Sequence, residues 1–88
     1  MKTVKVAEFR NSVDHLFRIA NQDYHACVGT GEVTNWVRIA QRVRDEVLNI
    51  ECKRASDYDK EQHQKALAMV DDSLAKSVGR IERYEQAA

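Results

Sequence analysis

Apolar residues recur along this chain at alternating steps of three and four, with polar residues between them. Val6, Phe9, Val13, Leu16, Ala20 and Cys27 follow this stepping in the first third. That is the period of one helical face, and it predicts a first helix over about 4–28. The stretch "VGTGE" then predicts a turn, because its two glycines can take the positive φ that ends a helix. Thr30 is the expected N-cap of the next helix, and Glu32 suits the positive end of its dipole.

Val33, Trp36, Ala40, Val43, Val47 and Ile50 continue the pattern, predicting a second helix over about 32–54. The pattern then breaks at "KRASDYDKEQ". Continuing the register would bury Arg54, Asp57, Glu61 and Gln64, which costs too much for unpaired charges. Ser56 followed by Asp59 has the spacing of a capping box, with Asp in place of Glu. A third helix is therefore predicted over about 57–86, carrying Leu67, Val70, Leu74, Ile81 and Tyr84, with Ser77 filling one inward position. One uninterrupted helix over 32–86 is the alternative, since neither Gly nor Pro enforces the break. The expected architecture is all-α, a three-helix antiparallel bundle with short connecting turns, spanning 1–88 as one domain. At 1.5 Å per residue the third helix should overhang the second by about two turns, near Gly79–Gln86.

Composition agrees with this pattern. No proline and only three glycines leave few breakers, and 32% charged residues against 43% hydrophobic is a globular balance. The 14 basic and 14 acidic residues cancel, so the whole molecule has no bias toward nucleic acid or an acidic membrane. No apolar run suggests a signal peptide or a membrane span, and a cytoplasmic protein is the expectation. Antiparallel packing should place the two cysteines at opposite ends of the rod, beyond disulfide reach. Cys52 lies off the apolar stripe and should be reactive, whereas Cys27 should be protected. Leu74 should face both other helices.

Chemical motifs are few. None of the three histidines has a Glu three residues before it, so the di-iron bundle motif is missing. His25 and Cys27 point to opposite sides of a helix and cannot share a metal. His63 can meet Asp59 at spacing four, most simply as a surface pair. "GTGEVT" lacks the third glycine of a dinucleotide loop. No enzymatic activity, cofactor or metal is expected.

"VTNWVRIAQRVRDEV", 33–47, poses a sharper question by setting three arginines among apolar residues. On a helical wheel Arg38 and Arg42 lie opposite the Trp36 face, while Arg44 sits at its border. Arg42 can also meet Asp45 and Glu46. The helix therefore reads as structural, with a solvated outer face. The span "CVGTGEVTNWVRIAQ" has the outline of a helix-turn-helix, but its turn is degenerate and Trp36 is needed in the core, so no family is assigned.

Apolar residues remain beside the stripes. Phe17, Ile19 and Tyr24 flank the first helix, Val37 and Ile39 flank the second, and Ile81 and Tyr84 lie in the overhang. These seven form the candidate surface for a partner protein or a second copy of the chain. The expected function is a non-enzymatic helical interaction module, an adaptor or inhibitor of a larger protein. The alternative is a nucleic-acid-binding protein using Lys2, Lys5, Arg38 and Arg42.

Overall fold

The computed structural model describes residues 1–21 and 30–87, with side chains at 1–21 and 33–83. Three helices form it: α1 (Val6–Ala20), α2 (Thr30–Leu48) and α3 (Asp57–Ala87). Two short strands accompany them, β1 (Lys2–Thr3) and β2 (Ile50–Glu51). All three helices pack on one another within an envelope of 50 × 20 × 15 Å. Arg10 lies against Asp59 and Ala20 against Ser73, so α1 and α3 run the same way. Val47 meets His63 while Arg44 meets Asp71, so α2 runs against them. The result is an up–down–up bundle. The continuation of the first helix to 28, Tyr24, Cys27 and Gly29 lie outside the described residues, as do the side chains of Thr30, Glu32 and Tyr84.

The core follows the predicted stripes in the first two helices, except that Val6 is half-buried, Ile19 joins the core and Ile50 falls in β2. Phe9, Val13, Leu16 and Ala20 are buried from α1, and Val33, Trp36, Ala40, Val43 and Val47 from α2. In α3 the centre of the stripe differs from the expected one. Ala66, Leu67, Val70 and Ser77 are buried, whereas Leu74 and Ile81 are only half-buried. Leu74 still packs against the core from its edge. Ser73 donates to the Ala20 carbonyl at 3.2 Å, which ties α3 to the end of α1. Ser77 turns its hydroxyl back to the Ser73 carbonyl at 2.9 Å.

The break between the second and third helices is real and falls earlier than expected. α2 ends at Leu48 rather than near 54, where Asn49 folds its side chain onto the Asp45 carbonyl at 2.8 Å. At its other end α2 begins at Thr30, so Gly31 belongs to the helix rather than to the turn. α3 starts with the predicted capping box. The Asp59 N–H donates to Ser56 Oγ, and the Ser56 N–H donates to the Asp59 carboxylate, both at 3.2 Å.

The strands were not expected from the pattern. The α1–α2 hairpin returns the chain to its starting end, so β2 lies beside β1 and pairs with it in parallel, Lys2 opposite Ile50 and Thr3 opposite Glu51. The 49–56 connection thereby folds across the end of the bundle and covers Val4, Cys52 and Ala55. Cys52 is 7% exposed, so the expectation of a reactive surface thiol is overturned.

Candidate interaction surfaces

The candidate partner residues separate into different environments. Ile19 is buried in the core and cannot serve as an open flank, because α1 turns this side toward its neighbours. Val37 packs half-buried against the core, Ile81 is half-buried, and Ile39 stands 40% exposed on α2. Tyr24 and the Tyr84 side chain lie outside the described residues. Phe17 lines a surface groove.

That groove runs between the parallel helices α1 and α3 and encloses about 310 Å³. Phe9, Val13 and Phe17 line it from α1, and they share a face because they are spaced four apart. Tyr58, in the first turn of α3, forms the opposite wall and is 67% exposed. Arg10, Asp14 and Gln62 complete the rim. Tyr58 escaped the sequence reading, since a lone aromatic in "SDYDKE" belongs to no stripe. It shares a groove with Phe17 only because α3 lies along α1.

The end of this groove is held by a charged fork. Arg10 Nε and Nη2 donate to the two Asp59 carboxylate oxygens at 3.0 and 3.2 Å. Arg10 holds the Asp59 carboxyl below its usual range; burial opposes this, and hydrogen bonds from Ser56 reinforce it. Asp59 therefore belongs to Arg10 and Ser56, not to His63 as its spacing suggested. His63 Nε2 instead lies 2.8 Å from the Val47 carbonyl, so this nitrogen carries the proton and the ring caps the end of α2. The His63 ring also rests 5.1 Å from that of Phe9.

The alternative basic residues do not gather. Lys2 sits in β1, 3.6 Å from Glu8, and lines a pocket that also contains Glu46. Lys5 precedes α1 as its N-cap residue. Arg38 and Arg42 are exposed on the outer face of α2, as the wheel placed them. It is Arg44, not Arg42, that approaches Asp45, at 3.5 Å. Arg44 also forms a fork with Asp71 of α3, which raises its already high pKa, and it serves as a strut between helices.

Among the described residues, no group of three or more His, Cys, Asp or Glu side chains could hold a metal ion. No described helix is long and apolar enough to cross a membrane. The fold and its surfaces thus define an all-α three-helix bundle with an aromatic groove. No family model, curated protein or solved structure matches the chain.

Proposed function

We propose that this protein is a non-enzymatic helical interaction module, an adaptor or inhibitor that docks on a partner protein through the α1/α3 groove. The observation that carries this reading is one groove that holds both a half-buried Phe17 and an exposed Tyr58 that no core requirement explains. Exposed aromatic side chains bring large contact area at low entropic cost, which is why they anchor interfaces. Charge narrows the partner further. Arg10 is engaged by Asp59, whereas Asp14 is exposed at the rim and forms no ion pair with described residues. The groove therefore suits an apolar side chain followed by a cation. A cytoplasmic location goes with this reading, since two cysteines make no disulfide framework.

The test is photo-crosslinking with a photoreactive phenylalanine at position 58, and at exposed position 68 as a control. A defined crosslink from 58 but not from 68, lost in Phe17→Ser and weakened in Asp14→Lys, is the expected result. Its mass distinguishes another protein from a second copy. Equal labelling from both positions, or none together with a strict monomer in sedimentation, would overturn the proposal.

A second reading rests on Arg38 and Arg42, both exposed and in no ion pair with described residues. Duplex binding that falls steeply with salt and is abolished by Arg38→Glu with Arg42→Glu would favour it.

A further inference from the structure

The formal charge of zero conceals an uneven distribution. The end of the bundle formed by the N-terminal strand and the 49–56 connection carries two open pockets, of about 570 and 490 Å³. They share Cys52 and Lys53 as a common wall. Lys53 and Lys60 line the larger, and Lys5, Lys53 and Arg54 the smaller. Among the described residues none of these four cations makes an ion pair. Glu51 is the one acid in either lining, and it accepts a hydrogen bond from Thr3 at 3.2 Å. Of the nearby acids in the first turn of α3, Asp59 is turned into the Arg10 fork and Asp57 lines neither pocket.

The floor between these cations is apolar. Met1, Leu48 and Ile50 contribute to the larger pocket and Val6 to the smaller. Leu48 and Met1 are exposed although both are large and apolar. An apolar floor with a cationic rim complements a ligand that alternates apolar and acidic groups.

We infer that this basic end is a second docking site, and that its occupant is an acidic amphipathic peptide segment of a partner protein. Leucine-like side chains would enter the two pockets while carboxylates meet Lys5, Lys53, Arg54 and Lys60. Nucleic acid fits less well. Phosphates have no use for an apolar floor, and unpaired bases need exposed aromatic rings on which to stack. The only rings in these linings are those of Phe9, which is buried, and His63, which lies against Phe9 and the Val47 carbonyl. The site adjoins the Phe17–Tyr58 groove, with the buried Phe9 as their shared wall, but none of its four cations lines that groove.

Fluorescence anisotropy on the full chain tests this. The labelled probe is a peptide of about ten residues in which Glu alternates with Leu, long enough when extended to reach across both pockets. Saturable binding is expected, weakened about tenfold or more by Lys53→Glu with Lys60→Glu, and similarly by Ser in place of Leu in the peptide. Arg38→Glu with Arg42→Glu makes the same change in net charge elsewhere and should leave the affinity within about twofold. Tyr58→Ser should also leave it unchanged, so failure of the groove reading and failure of this one are distinguishable. Circular dichroism verifies the fold of each variant. Three results would overturn the inference: no binding of the Leu peptide, equal weakening by both double charge variants, or a single-stranded oligonucleotide of similar length binding as tightly as the peptide.

Discussion

Trp36→Ala tests whether the arginine-bearing helix is a structural element. Trp36 is 6% exposed and sits in α2 on the same face as Val33, Ala40 and Val43. A buried tryptophan withdraws roughly 150–250 Å² from water. At about 25 cal/mol per Å² that is roughly 4–6 kcal/mol, an upper bound because the unfolded chain already covers part of this surface. Alanine keeps some of the burial but leaves a cavity, and the net loss should be about 3–5 kcal/mol. A chain of this size has roughly 4–13 kcal/mol in total. The melting temperature should therefore fall by tens of degrees, at about 4–8 °C per kcal/mol. Urea denaturation followed by the helical circular dichroism signal measures the loss at constant temperature. Arg38→Glu with Arg42→Glu, on the solvated face of the same helix, should leave the urea midpoint within experimental error. A Trp36→Ala variant within about 1 kcal/mol of the parent would refute the packing of α2 described above. Unfolding of the double arginine variant would refute the solvated outer face.

Leu16→Ala, at a position with 0% exposure, should fall in the upper part of the range of about 2–5 kcal/mol for such truncations. Leu74→Ala, at a half-buried position, should fall at or below its lower end, and equal losses would show that the two sites pack alike. The depressed pKa of Asp59 makes part of the stability pH-dependent: this part is complete above the unfolded carboxyl value near 3.8 and is lost as pH falls through the lower folded value. Asp59→Asn should therefore flatten the acid limb of a melting-temperature profile, and parallel limbs in the two proteins would contradict the fork with Arg10. In a Cys27→Ser background, Cys52 should react with a maleimide far more slowly in native protein than in urea, and equal rates would place its thiol at the surface.

Periodicity alone determined the helical class, the up–down–up order and most of the buried faces of α1 and α2, with Ile19 the residue it left on the wrong side. The reason is that a helix with a polar opposite side has only one way to bury its stripe. The α3 start was equally legible, because a capping box is local and joins residues three apart. Three features were decided by tertiary structure. The strands are two residues each, too short to carry a period, and their pairing depends on the hairpin bringing position 2 beside position 50. Cys52 is buried by a connection whose path over the bundle end is set by that pairing, not by any helical face. On α3 the buried line runs through Ala66, Val70 and Ser77, and Leu74 lies at its edge, because α3 packs against two helices whose placement is not written in its own period. The surfaces divide in the same way. Phe17 was readable as a surplus apolar residue on its own helix. Tyr58, Asp14 and the basic rim of Lys5, Lys53, Arg54 and Lys60 acquire meaning only together, because residues distant along the chain share a wall only after it has folded.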